Sequence, residues 1–273
     1  MIQKRRIQKE VAKMIKLIVS DLDGTLALPD GSISKETFDV ISALHKKNIK
    51  FAVATGRQGI TVENDFREVL DYIYVIADNG AIIKYQGEEI GVTYLDKEKA
   101  KGAIETGKQI EGIQMLICCK DTAYNMTTDE AFEEEITKYY HSITNITDSN
   151  EIKEDIIKIA LYHKNGITKE IETLLKETWG EYFAITVSGK NWVDIGSLHT
   201  SKGEGVKFLR EKYGLEKEEC MAFGDYFNDV SMLQEVEESY IMEHAPQEMK
   251  VYGKHIAPSG KVLEIIKERC LDK

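Results

Sequence analysis

Three short apolar runs in this chain stop at residues that carry chemistry rather than at plain turns. Lys16–Ser20 (KLIVS) stops at Asp21, Ile49–Ala54 (IKFAVA) at Thr55, and Cys220–Phe223 at Gly224-Asp225. Such runs, too short for helices and rich in β-branched or small apolar residues, read as strands buried on both faces. Helical periodicity lies between them. Ser34 can cap a helix reaching about Lys47, with Phe38, Ile41 and Leu44 on one face, and a second helix covers about 59–70. A strand at Tyr72–Ala77 follows. Strand, helix, strand, helix, strand with short joins predicts the α/β class, with a parallel sheet and right-handed crossovers.

From about Ala81 the pattern changes. Ala81–Tyr85 and Ile90–Tyr94 flank Gln86-Gly87-Glu88 and read as a hairpin. Paired strands and helices then follow: a helix at 96–110, strands at 113–119 and 122–126, an acidic helix at 129–141, a polar stretch SITNITDSN, a strand at 156–162, a helix at 168–178, and strands at 182–188 and 191–195. Parallel α/β grammar resumes after Gly203, with a helix to about Tyr213 and another from about Asp229. The expected organisation is a core of residues 14–81 and 191–273 interrupted by an α+β insert at 82–190. Residues 1–13 (MIQKRRIQKEVAK) form a basic extension, and Met14 is the expected natural start, since a strand follows it directly.

Charge narrows the partners. The 273 residues carry 36 Lys+Arg against 47 Asp+Glu, a net −11. No global basic field exists to hold nucleic acid or an anionic membrane, so neither is expected as a partner. No apolar run approaches the ~20 residues of a membrane span. The four cysteines form no CxxC pair, and Cys118-Cys119 sits in an apolar run, which suits buried thiols in a reducing cytoplasmic setting.

Ligands of open α/β sheets bind outside the carboxyl ends of the strands, so distant segments converge there. Asp21-x-Asp23-Gly24-Thr25 places two carboxylates close together, which is costly when both are ionised unless a cation or proton is shared. Mg2+ suits an oxygen-only site of this kind. Thr55-Gly56-Arg57 offers a hydroxyl and free N–H groups entering a helix, an anion cradle. Ser201-Lys202-Gly203 puts a cation at a helix start, where it opposes the macrodipole unless an anion is near. Gly224-Asp225-Tyr226-Phe227-Asn228-Asp229 adds two more acids at a strand end. Taken singly these are a turn, a helix cap, a solvated lysine and another cap. Together they supply a carboxylate nucleophile, a second carboxyl to exchange protons with a leaving group, a hydroxyl donor, a cation and metal-binding acids. Those are the needs of phosphoryl transfer from a monoester.

The same segments resemble the signature motifs of the haloacid dehalogenase (HAD) superfamily of phosphatases: DLDGTL at 21–26, Thr55 of ATGR, Lys202 of SKG, and GDYFND at 224–229. Ile33-Ser34, Ala52–Arg57 and Asp78-Asn79-Gly80-Ala81 are similar to the Cof-type subfamily, and the resemblance covers about residues 14–257. It implies a Rossmann-like catalytic core with an inserted α/β cap that sets substrate specificity. It further implies Asp21 as the nucleophile that becomes an aspartyl-phosphate, and Asp23 as acid for the leaving alcohol and then base for water. Thr55 and Lys202 would hold phosphoryl oxygens. Mg2+ would bind the Asp21 carboxylate, the Asp23 backbone carbonyl and Asp225. Gly56, Arg57, Asn228 and Asp229 would contact or support the phosphate, with Asp229 orienting Lys202; the alternative for Arg57 is simple pairing with an acid. Asn79, Ser188 and Asn191, with Trp192, would lie at the substrate rim.

The expected activity is Mg2+-dependent hydrolysis of a small phosphate monoester, a sugar phosphate or phosphorylated cofactor, by a monomer or weak homodimer. A phosphomutase would need a second phosphate site in the cap, yet residues 84–190 hold 13 Lys, no Arg and 20 acids with no basic cluster. A non-catalytic phospho-sensor would need neither the cap nor Asp23. The chain departs from the subfamily at Ile241–Ala245, where Glu243 and His244 stand in place of the usual glycine and asparagine, at Leu198-His199-Thr200, and after Ala257. These positions bear on the substrate rather than on the chemistry.

Overall fold

The computed structural model describes residues 14–127 and 129–272; the basic segment 1–13 lies outside them. The first part of the core runs β1 (Leu17–Ser20), α1 (Lys35–Lys46), β2 (Lys50–Ala54), α2 (Gly59–Asp65), β3 (Ile73–Ala77), β4 (Ile82–Tyr85) and β5 (Glu88–Val92). An insert follows: α3 (Lys97–Lys108), β6 (Ile113–Cys119), β7 (Ala123–Asn125), α4 (Glu130–Ile136), β8 (Ile143–Asn145), β9 (Ile156–His163), α5 (Lys169–Trp179), β10 (Phe183–Val187) and β11 (Trp192–Ser197). The chain then returns through α6 (Lys202–Tyr213), β12 (Cys220–Gly224), α7 (Val230–Gln234), β13 (Glu238–Met242), β14 (His255–Ala257) and α8 (Val262–Ile266).

The core sheet has the order β14-β13-β12-β1-β2-β3-β4-β5. Its first six strands in that order are parallel, and β4 and β5 are antiparallel additions. Both faces of β1 are covered, which explains its unbroken apolar run. Ile18 packs with Val40, Ile41 and Leu44 of α1 and with Val262 and Ile266 of α8. Leu17 and Val19 face Val206 and Leu209 of α6 and Met232 and Leu233 of α7. The chain moves from β1 to β2 on one side and returns to β12 on the other. The crevice at the carboxyl end of β1 is therefore a topological switch point, where open α/β sheets bind ligands.

The insert forms its own sheet, β10-β11-β9-β6-β7-β8. Its apolar outer face carries α3 and α5, through Ala103, Ile104 and Leu175 on Ile117, Ile159 and Ile195. Phe132 and Ile136 of α4 pack on the other face, against Leu116, Cys118 and Ala160.

Two boundaries differ from the expected 82–190. The hairpin β4–β5 belongs to the core, because Ala77↔Ile82 pairing extends the core sheet past β3. The strand β11 belongs to the insert, because Phe183↔Ser197 through Val187↔Val193 pair it with β10 across a tight turn. The two arms of a hairpin share a sheet, so a cut at that turn cannot be a domain edge. The cap proper spans about 93–198. Both its connectors meet the core at one turn: Thr93 N–H donates to the Ala81 carbonyl. A Cβ on Gly80 (φ +95°) would collide with the Ser201 backbone. β8, β13, β14 and α8 are additions to the predicted elements. Among the described residues no helix is long and apolar enough to cross a membrane.

Candidate active site

β1 ends at Asp21, whose amide is held by the Phe223 carbonyl of neighbouring β12, so the acid is fixed by the sheet itself. Its side chain is buried, and Oδ1 accepts a 2.5 Å hydrogen bond from Lys202 Nζ. The same ammonium donates to Asp229 Oδ1 at 2.6 Å. Asp229 Oδ2 in turn accepts from the backbone N–H groups of Asp225 (2.8 Å) and Tyr226 (3.0 Å), closing the turn after β12. Lys202 is the first residue of α6, whose N-terminus is capped by the Ser201 hydroxyl accepting from Glu204 N–H. Its expected cost at a helix start is offset by these two carboxylates.

The charges do not balance. Asp21, Asp225 and Asp229 bring ligand oxygens within 4.8 Å of one another, against one buried ammonium. Burial, reinforced by Asp229 and only partly opposed by Lys202, pushes the Asp21 carboxyl well above its usual range. Burial and Asp229 likewise push Asp225 up to about 6, against the pull of Lys202 and His244. Burial disfavours the Lys202 ammonium, but Asp21 and Asp229 outweigh it and hold it above its usual range. Asp21 Oδ2 is buried with no hydrogen-bond partner among the described residues. An orphan carboxylate oxygen beside a surplus of buried acids is the donor set a hard divalent cation takes. Asp21 Oδ2 and Asp225 are the available ligands, since both Asp229 oxygens are already engaged. Gly24 makes room here: its φ is +83°, and a Cβ would stand 2.4 Å from Asp225 Oδ2.

Thr55 is buried at the end of β2, and its hydroxyl oxygen accepts from Arg57 N–H at 3.0 Å, leaving the hydroxyl hydrogen free to donate. Arg57 lines the same cleft as Asp21 and Thr55, and its side chain is held by two carboxylates. Its guanidinium forks onto Asp23 (Nε to Oδ2 3.0 Å, Nη2 to Oδ1 2.6 Å) and donates to Asp65 at 2.9 Å. Arg57 is thereby the group that orients Asp23. Replacement by lysine keeps the charge but loses the fork. Arg57→Lys is expected to lower turnover by about tenfold or more, within the range positioned proton transfer contributes, with little change in melting temperature. Steady-state kinetics and calorimetry on the pair of proteins check this.

Above the site the cap roofs a cleft of about 320 Å3, bounded by Asp21, Asp23, Thr55 and Asp225 below and by Tyr139, Lys158, Lys190 and Trp192 above. Gly56, Ser188, Asn191 and Asn228 also line it. Asn228 donates to Asn79 Oδ1 (3.1 Å), Asn79 donates to Asp194 Oδ2 (2.8 Å), and Ser188 donates to that same oxygen (3.0 Å). The rim residues thus form one chain from core to cap. Asn191 spends its amide on the His163 and Lys164 carbonyls, holding the cap turn. His244 comes within 3.5 Å of Asp225 Oδ2, while Glu243 takes part through its backbone, its N–H donating to the Ala257 carbonyl.

Sequence reading missed a buried ion cluster where the cap's inner face meets the core. Lys158 is 2% exposed, Asp194 5% and Asp78 3%. Burial disfavours the Lys158 charge, yet Asp194, Tyr140 and Asp78 keep it well above its usual range. The available signal was a single lysine inside the apolar strand IIKIALYH.

A family profile described as haloacid dehalogenase-like hydrolase matches residues 18–262. The chain is 25% identical over 257 residues to the 5-amino-6-(5-phospho-D-ribitylamino)uracil phosphatase YbjI of Escherichia coli, covering 92% of this chain and 95% of that one. It is 24% identical to an HMP-PP phosphatase of Klebsiella pneumoniae, covering 90% and 91%. Among solved structures, a Streptococcus mutans protein superposes with a TM-score of 0.87 at 21% identity over 93% of this chain and 98% of that one. The subclass IIB sugar phosphatase BT4131 superposes with 0.80 at 22% identity over the same shares.

Proposed function

The chain belongs to the haloacid dehalogenase-like hydrolases as a phosphoric monoester hydrolase, and from that premise we propose that it cleaves a small phosphorylated metabolite by way of a phosphorylated Asp21. One observation carries this reading: Asp21 is buried, steered by Lys202 on one oxygen and unpartnered on the other.

Asp21 attacks phosphorus through a carboxylate oxygen, and the ester oxygen leaves. Lys202 neutralises charge between Asp21 and the phosphoryl oxygens, and the Thr55 hydroxyl donates to one of them. Asp23, held by the Arg57 fork at the cleft, gives the leaving oxygen its proton and then takes one from the water that hydrolyses the aspartyl-phosphate. Mg2+ held by Asp21 and Asp225 would supply charge neutralisation for the transferring group. The loose transition state asks mainly for positioning and neutralisation of this kind. The cap excludes bulk water and leaves space for a small leaving group. Tyr139 and Trp192 give that space an apolar side, fit for a sugar face or a heterocycle. Sugar phosphates and phosphorylated cofactor precursors are the substrate classes this supports. A mutase is less well served, since of the two cap lysines at the cleft Lys158 is already held by the Gly56 carbonyl and paired with Asp78.

The test is phosphate release from a panel of such esters in Mg2+ and in EDTA. Activity is expected in Mg2+ alone, and a wild-type protein inert to the whole panel in Mg2+ sinks the reading. Cation binding should also depend on pH. Asp225 titrates at about 6 in the metal-free protein, so below that value a proton occupies the ligand. The Mg2+-induced rise in melting temperature is expected to be full at pH 7.5 and to shrink by pH 5. Without metal the sign reverses. The raised value means that this group's stability is present at low pH and is lost as pH rises through about 6. Calorimetry at both pH values, with and without Mg2+, checks both signs, and Asp225→Asn should flatten them.

A further inference from the structure

The buried lysine of the cap reaches across the domain boundary into the phosphate loop. Lys158 Nζ donates to the Gly56 carbonyl at 2.7 Å, lies 3.2 Å from Asp78 Oδ1 and 4.0 Å from Asp194 Oδ1. Gly56 stands between Thr55, whose hydroxyl faces the phosphoryl group in the reading above, and Arg57, which orients Asp23. Asp78 belongs to the same assembly: its N–H donates to the Arg57 carbonyl (3.0 Å), and Asn79 N–H donates to the Thr55 carbonyl (3.0 Å). One cap side chain therefore touches the carbonyl at the centre of the loop and the acid of the neighbouring loop bound to it. The preceding residue, Ile157, is fully buried in the core's own hydrophobic cluster, so the start of β9 is docked against the core.

We propose that Lys158 is a positioning residue for the reaction: docking of the cap, through this lysine, sets the Thr55-Gly56-Arg57 loop in its working geometry. This rests on the phosphatase reading. The ammonium donates to the Gly56 carbonyl and is ion-paired with Asp78 and, at longer range, with Asp194. The loop is short, and displacement of a reacting group by about 1 Å costs on the order of a hundredfold in rate. Cap closure then does two things at once: it excludes water, and it completes the phosphate-holding loop.

The experiment compares wild type, Lys158→Met and Lys158→Met/Asp78→Asn on two esters with unlike leaving groups, p-nitrophenyl phosphate and ribose 5-phosphate. Lys158→Met is expected to lower kcat about tenfold to a hundredfold on both esters, by the same factor within threefold, and to lower the melting temperature because Asp78 loses its cation. The double variant is expected to regain the melting temperature, since the orphan acid is gone, and to keep the low kcat, since the Gly56 carbonyl is still unheld. It also keeps the test usable should Lys158→Met fail to fold. Unchanged kcat, a loss confined to one ester, or wild-type kcat in the double variant each overturns the proposal: the lysine would then be inert, a leaving-group contact, or a charge balance alone. A wild type inert on both esters overturns instead the reading on which the proposal rests.

Discussion

The Asp21→Asn variant is expected to fold with at least wild-type stability and to release phosphate about a thousandfold more slowly, or worse. The two halves of this result come from one geometry. An asparagine carbonyl can still accept from Lys202 where Asp21 Oδ1 does, and the amide nitrogen would occupy the place of Oδ2, which has no partner to lose. One of three crowded acids becomes neutral, so the metal-free protein should melt no lower than wild type. Catalysis has no such substitute, because an amide oxygen is a poor nucleophile and its adduct would not mimic an acyl phosphate. Thermal denaturation in EDTA and phosphate release in Mg2+ separate stability from chemistry. A variant keeping a tenth of the activity removes Asp21 from its proposed role.

Lys202→Met gives the opposite pattern, losing fold and function together. Methionine fills the volume of the buried stem but leaves Asp21 and Asp229 facing each other in a dry site with no cation. Removing one partner of a buried ion pair costs about 3–5 kcal/mol. An unfolding free energy lowered by that amount, measured by chemical denaturation in EDTA, is the expected result. Mg2+ should recover part of the loss by binding the folded state, and activity should stay near background because the phosphoryl charge has lost its fixed counterion. A variant as stable as wild type in EDTA would show that the three-acid cluster is already neutralised by protonation.

The legible part of this protein was the part where chemistry and topology coincide. Asp21, Thr55, Lys202 and Asp225 each follow or open an element whose type is plain from local pattern, and the parallel core brings those ends together without further information. Arg57 was legible as a residue of this site, but its partners were not. Nothing local says whether a guanidinium faces a phosphate or a carboxylate, and the fork onto Asp23 and Asp65 depends on how α2 packs. The cap edges failed for a related reason. A hairpin looks the same whether it joins one sheet or another, so β4–β5 and β11 could be found but not allotted. Lys158, Asp78 and Asp194 were hidden most deeply. Their meaning is a contact between two domains, and a lone lysine in an apolar strand shows only that it must find a partner.

Both connectors of the cap press on the turn at Gly80-Ala81. In the proposed reaction the chemistry is built on one side of that turn and the leaving group is chosen on the other. Such an arrangement separates two kinds of inheritance. Residues of the cap's inner face, such as Tyr139 and Trp192, can drift toward a new metabolite while the acids around Asp21 stay under their own constraint. The exceptions are the few side chains that cross the boundary, Lys158 and Asp194 among them. They are the positions at which a borrowed cap would have to match its new core.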